Sequence, residues 1–150
     1  MRRHNQHSLA DAEGFYQVRV GEQLGYRYEV KRIVDKGCFG QVVQCVDMAD
    51  PNQRFVAVKI GKNKKFDVDN AHVEIRLLKL LMKAEEDEED LHVAQGQERI
   101  CEYIDSFHFR QHVLIVLEYL HFNLYRFLKV NKLRRPLVDA KLLRRIVFQV

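Results

Sequence analysis

Two glycines, a lysine and a glutamate are the residues of this 150-residue chain whose types and order could do chemistry. The run Gly37-Cys38-Phe39-Gly40-Gln41-Val42 offers backbone N–H groups with no side chain in the way of an approaching oxyanion. Taken alone it is an ordinary turn. Its neighbour changes the reading, because Lys59 stands at the end of Val56-Ala57-Val58-Lys59, on the next but one β-prone run, where its ammonium would meet oxygens held under the turn. A lysine in such a place needs a carboxylate to stay charged and aimed. Glu74 follows on a helix-prone stretch, on an otherwise apolar face, and is better matched to Lys59 than to Lys79 of its own helix. The chemistry implied is the binding of a phosphate chain.

The elements that must position these groups can be read from periodicity. Tyr28-Glu29-Val30-Lys31-Arg32-Ile33-Val34 and Gln41-Val42-Val43-Gln44-Cys45-Val46 are β-prone runs flanking the glycine turn, which predicts an antiparallel hairpin. Ala49-Asp50-Pro51-Asn52 is a turn into a third strand over 54–60. After Asp67-Val68-Asp69-Asn70 the period changes to 3.6, with Asp69 or Asn70 as N-cap, Ile75, Leu78, Leu81 and Met82 on one face, and Glu74 sharing the sheet-facing side with Leu77, Leu78 and Leu81. The acidic run 85–90 has no apolar anchor and reads as an exposed loop. Strands follow over 101–107 and 112–117, the second so uniformly apolar that it must be buried on both faces. Helical patterns return at 124–130 and 139–150, the latter with Leu143, Ile146, Val147 and Val150 as a stripe. Residues 1–27 read as a polar extension with at most one strand, in the alternation of Phe15-Tyr16-Gln17-Val18-Arg19-Val20.

Composition narrows the functional class. With 47% hydrophobic and 31% charged residues the chain has the makeup of a globular domain, and it lacks both a long apolar span and a signal-like start. Cys38, Cys45 and Cys101 are an odd number without a Cys-x-x-Cys pair, which argues for a reducing compartment rather than disulfides or structural zinc. His108 and His112 lack the further ligands of a metal site. The net charge of +4 does not signal nucleic acid, because the basic residues are dispersed around an acidic run and no aromatics alternate with them. No membrane partner is indicated either.

The motif order resembles the small lobe of a eukaryotic protein kinase: Gly-x-x-Gly-x-Val, Val-Ala-Val-Lys, a helix Glu, a buried strand and the connector Leu117-Glu118-Tyr119-Leu120. Tyr26-Arg27-Tyr28-Glu29-Val30, Lys36-Gly37-Cys38-Phe39-Gly40-Gln41-Val42-Val43, Glu74-Ile75-Arg76-Leu77-Leu78 and Phe107-His108-Phe109-Arg110-Gln111-His112 are similar to the dual-specificity tyrosine-regulated (DYRK) branch, as is Asn123-Leu124-Tyr125-Arg126-Phe127-Leu128-Lys129. The resemblance implies an α+β fold: a five-stranded antiparallel sheet with one regulatory helix and a connector over 28–120, then the first helices of an incomplete large lobe over 121–150. It also implies ATP and Mg2+ as cofactors and proteins as substrates. Ile33, Val42 and Ala57 would enclose the adenine from above, with Leu117 controlling the back pocket. The backbone at Glu118, Tyr119 and Leu120 would meet the adenine edge, and Asn123 would lie near the ribose. Asp35, Lys36, Gly37, Cys38, Phe39, Gly40 and Gln41 would cover the phosphates that Lys59 holds against Glu74.

The sequence departs from the kinase pattern in two places. Asp35 stands where kinases carry the first loop glycine, setting a carboxylate near a polyphosphate. No His-Arg-Asp or Asp-Phe-Gly triplet occurs, and the family's order puts those segments, with the Mg2+ ligands, after residue 150. Without that base and metal these residues alone are expected to bind ATP weakly and transfer no phosphate. The competing expectation is a truncated, non-catalytic kinase-like module that regulates a relative through its surface. In the first reading the protein phosphorylates Ser/Thr on other proteins, phosphorylates itself on tyrosine, and is cytoplasmic or nuclear. Cys38, beside Lys36, is a candidate reactive thiol.

Overall fold

The alternation in the first half of the chain folds into an antiparallel meander. The computed structural model describes residues 10–83, 101–121 and 129. Within them β1 (Gln23–Leu24), β2 (Tyr28–Gly37), β3 (Gly40–Asp47) and β4 (Phe55–Gly61) pair in sequence. Then comes α1 (Lys65–Lys83), followed by β5 (Tyr103–Phe109) and β6 (His112–Glu118). The sheet order is β1-β2-β3-β4-β6-β5, antiparallel throughout, so the chain leaves β4, forms α1, and returns to lay β6 beside β4. The chain divides into two units, Met1–Tyr119 and Leu120–Val150. The helices expected over 124–130 and 139–150 and the acidic loop over 85–90 lie outside the described residues.

Each face of the sheet has its own apolar layer. On one side Val30, Val43, Cys45, Val56, Val58, Ile60, Leu114 and Val116 pack with Tyr16, Leu24 and Tyr28. On the other, Val113 and Ile115 pack against Ala71 and Ile75 of α1, flanked by Val68, Leu78, Tyr103 and Leu117. Strand β6 contributes to both layers, as its unbroken apolar run predicts. His112 at its start is fully buried, and its Nδ1 lies 2.7 Å from the Gly61 carbonyl. A carbonyl only accepts, so Nδ1 carries the proton and ties β6 to the end of β4.

Three expectations are corrected. The sheet has six strands, because the N-terminal segment supplies β1 at Gln23–Leu24 rather than in the Phe15 to Val20 alternation. Phe15, Tyr16 and Leu24 bury instead as single anchors, which leave no periodic signature. The helix begins at Lys65: the Val68 amide donates to the Lys64 carbonyl at 3.0 Å, so Asp69 and Asn70 lie in the second turn and are not caps. Asp67 in the first turn favours this earlier start, as a carboxylate near the positive helix end. The buried stripe is Val68, Ala71, Ile75 and Leu78, whereas Leu77 and Leu81 are 56% and 40% exposed. Leu77 is two residues, about 200°, from the stripe's centre at Ile75.

One polar tie anchors the meander's outer turn. Arg27 donates to both carboxylate oxygens of Asp47, at 2.8 Å each, and the Ala49 amide donates to Asp47 Oδ1 at 3.0 Å. The Asp47 side chain is 1% exposed. The Arg27 bond holds the Asp47 carboxyl below its ordinary range, against the opposing effect of burial. Its stabilisation is therefore complete above the unfolded value of about 3.9 and is lost as pH falls through the lower folded value. Asp47→Asn is expected to cost about 2 kcal/mol at pH 7, and the gap from wild type should narrow below pH 4. Urea unfolding at several pH values checks this; a gap that stays constant into acid would show that the carboxylate charge is not what stabilises the turn.

Candidate functional site

Register alone assembles one face of the site. Val42 pairs with Lys59 and Lys59 with Ile115; one step along, Gln44 pairs with Ala57 and Ala57 with Leu117. Paired residues share a face, so Val42, Ala57, Lys59, Ile115 and Leu117 all point to the side of the sheet on which α1 packs. Glu74 sits one residue before the buried Ile75, at the edge of the α1 stripe. Lys59 Nζ donates to both its oxygens, at 2.7 and 2.6 Å. The pair is part-exposed, with the two side chains 29% and 37% accessible, so it is reachable by a ligand.

Beside the pair lies a cavity of about 400 Å³, lined by Phe39, Lys59, Gly61, Phe66, Asp67, Asn70, Ala71, Glu74, Val113 and Ile115. It runs from the tip of the β2–β3 hairpin to the start of α1. Ala57 and Leu117 do not line it, so this cavity lies at the Lys59 end of the face. Gly61, Phe66, Asp67, Asn70, Ala71, Val113 and Ile115 were missed as site residues in the sequence. Placing the helix start at Asp69 or Asn70 put Phe66 and Asp67 outside it.

The hairpin itself is tight. Gly37 pairs with Gly40, leaving Cys38 and Phe39 as a two-residue turn. Neither glycine has positive φ, so backbone conformation does not demand them. At Gly40 the demand is packing, because a Cβ would drive into the Ile60 carbonyl oxygen. At Gly37 nothing lies within 4 Å of where a Cβ would be, so the fold gives no reason for glycine and the space above its backbone is open.

The other expected site residues are placed as follows. Ile33 pairs with Val43, a core residue of the opposite face from Lys59, and is half exposed. Asp35 is exposed and its Oδ1 accepts from the Lys36 amide at 2.8 Å. Lys36 lies over the Phe15 ring at 3.8 Å and reaches Asp11 at 3.4 Å. Gln41 is buried, its side-chain amide donating to the Tyr16 carbonyl. Cys38 is exposed at the turn, whereas burial pushes the Cys45 thiol up to about 12 and raises that of Cys101. Glu118 and Glu102 are tied together: the Glu118 amide donates to the Glu102 carbonyl and the Glu102 amide to Glu118 Oε1, both at 3.0 Å. The Tyr119 hydroxyl accepts from Arg32. Leu120 falls in the second unit, and Asn123 lies outside the described residues. Among the described residues no group of three or more His, Cys, Asp or Glu could hold a metal ion, and no helix is long and apolar enough to cross a membrane.

No protein-family model matches the chain. Individual relatives do. The chain is 38% identical over 122 residues to the dual specificity tyrosine-phosphorylation-regulated kinase mbk-2 of Caenorhabditis elegans, which covers 81% of this chain and 14% of that protein. It is 36% identical over 124 residues to the human dual specificity tyrosine-phosphorylation-regulated kinase 4, covering 83% and 22%. It is 35% identical over 140 residues to the DYRK-family kinase pom1 of Schizosaccharomyces pombe, covering 93% and 12%. The chain thus spans less than a quarter of the length of each of these relatives. The antiparallel sheet and the one packed helix among the described residues are consistent with the N-lobe of a kinase, and the chain is a homologue of the DYRK-family protein kinases over a short part of their length.

Proposed function

We propose that these residues are the ATP-binding part of a dual-specificity protein kinase that passes the γ-phosphate of ATP to protein hydroxyl groups. The observation that carries this reading is the Lys59–Glu74 pair, set beneath a hairpin whose Gly37 has no structural reason to lack a side chain. Lys59 neutralises phosphate oxygens, and Glu74 keeps its ammonium aimed. The open backbone at Gly37 admits oxygens close to its N–H. Val42 and Ala57 give an apolar surface for a flat base, and Leu117 bounds its depth. The hairpin and Lys59 hold the triphosphate still, which is most of what a protein contributes to phosphoryl transfer.

Mg2+, when bound, would neutralise charge on the phosphates; no cluster among the described residues fits it. With no His-Arg-Asp or Asp-Phe-Gly triplet in the 150 residues, the same proposal has them bind nucleotide without transferring phosphate. Three unpaired thiols suit a cytoplasmic or nuclear setting.

Thermal unfolding with added nucleotide is the test. With a dissociation constant near 1 mM, 10 mM ATP adds roughly 1.4 kcal/mol, a shift of a few degrees for a domain of this size. ADP should act like ATP, and a labelled-ATP assay on a generic protein substrate should show no transfer by the 150 residues. The nucleotide reading is sunk if neither ATP nor ADP moves the midpoint.

A further inference from the structure

The outer half of β2 has little to hold it in place. From Lys31 to Gly37 every residue is exposed, and the register with β3 slips twice, between Val30 and Arg32 and between Ile33 and Asp35. On its other side β1 reaches only Tyr28 and Glu29. The arm formed by residues 31–42 is therefore a two-stranded ribbon on its β2 side, and such ribbons are marginal in water. Ties outside the ribbon then decide where it sits.

Toward the tip Lys36 reaches Phe15 and Asp11, the Gln41 side-chain amide donates to the Tyr16 carbonyl, and the Phe39 carbonyl accepts from the Lys62 amide at 3.3 Å. At the base the tie is Arg32. Its Nε donates to Gln44 Oε1 at 2.7 Å, its Nη2 donates to the Tyr119 hydroxyl, and its guanidinium carbon lies 5.8 Å from the centre of the Tyr119 ring. The Tyr119 ring is seated in turn beside Phe55, with centroids 6.2 Å apart. Arg32 pairs with Gln44 and Gln44 with Ala57, so this cluster is on the same face as Ala57 and Leu117, at the Ala57 end of the site. Arg32 thus links the strand that carries the glycine hairpin directly to the residue after β6, passing over β3 and β4. A planar guanidinium can hold Gln44 and Tyr119 together at fixed angles, which a lysine ammonium cannot.

We propose that Arg32 is a positioning residue: oriented by Gln44 and received by Tyr119, it sets the gap between the hairpin arm and the Tyr119 segment, and so the width of the mouth through which a nucleotide base enters. This rests on the nucleotide-binding reading above. The contact is exposed, so it controls the geometry of the mouth far more than the stability of the fold.

Arg32→Lys, Tyr119→Phe and the double variant test it through two readouts. In nucleotide-free protein, amide hydrogen exchange across residues 33–42 should be about tenfold faster in each variant, with the thermal midpoint close to wild type. Binding of a fluorescent ATP analogue should weaken about three- to tenfold in each single variant, and no further in the double, because either change ends the same contact. Wild-type exchange rates in the arm, or losses that add in the double variant, would overturn the assignment. If wild type binds no nucleotide, the ATP reading falls, and the exchange rates alone still decide whether Arg32 holds the arm.

Discussion

Lys59→Met is expected to weaken ATP binding about 100-fold while leaving resistance to urea nearly unchanged. Methionine keeps the length and apolar stem of the side chain and removes only the ammonium. The bonds of 2.7 and 2.6 Å to Glu74 join two part-exposed groups. Solvent screening limits such a pair to about 0–1 kcal/mol of folding stability. Facing a triphosphate, the same ammonium makes charge-assisted bonds worth about 1.5–3 kcal/mol, and every 1.4 kcal/mol is tenfold in affinity. Glu74→Gln should cost less, about tenfold, because it leaves the cation in place but no longer aimed. Calorimetric titration and urea unfolding, run together, separate the two effects. Unchanged affinity with a large loss of stability would make the pair a structural brace rather than a ligand site.

Gly40→Ala should destabilise the chain by about 3 kcal/mol, at the upper end for overpacking, whereas Gly37→Ala should not destabilise it at all. A Cβ at Gly40 would collide with the Ile60 carbonyl oxygen and stand 3.1 Å from Gly61 Cα, and both are backbone atoms of a central strand that cannot yield. A Cβ at Gly37 meets nothing and needs no unusual φ, so alanine there should stabilise by about 0.5 kcal/mol through the unfolded chain. Nucleotide affinity should respond in the opposite sense at that position, falling about tenfold as the methyl fills the space above the backbone. Denaturant midpoints and ATP titrations of the two variants give the comparison. A Gly37→Ala protein that binds ATP as well as wild type would mean that phosphates do not approach that backbone.

Strand types, the hairpin and the Lys59–Glu74 pairing were legible because period-two alternation and a short apolar run carry strong signals. What was illegible had specific physical causes. Arg110 and Gln111, both with positive φ, form the two-residue turn between β5 and β6, and neither is a residue that announces such a turn. The expected strand over 101–107 therefore stopped two residues short of its observed end at Phe109. The start of α1 was misplaced because Asp69 and Asn70 are good caps on composition, while Lys64 is not one. Arg32 and Gln44 read as ordinary polar positions of a half-exposed strand, and only the cross-strand register brings them to Tyr119. Two register shifts in β2 set Ile33 opposite Val43 and put it on the other face from Lys59, a placement that sequence periodicity does not carry.

The order in which the sheet is threaded also bears on how the chain reaches this state. Strands β1 to β4 are joined by short connections, so their ladders can zip locally. The ladder between β4 and β6 joins Val56 to Glu118 and Ile60 to Leu114, closing a loop of about 60 residues before any of its contacts are gained. Nearly a third of that loop is α1, whose 19 residues span about 28 Å once helical, so early winding shortens the search. Lys59 and Glu74 bracket this first stretch of the excursion, and their attraction draws the nascent helix back over β4. The ion pair assigned to holding phosphates would then also serve the arrival of β6, the strand on which both apolar layers depend.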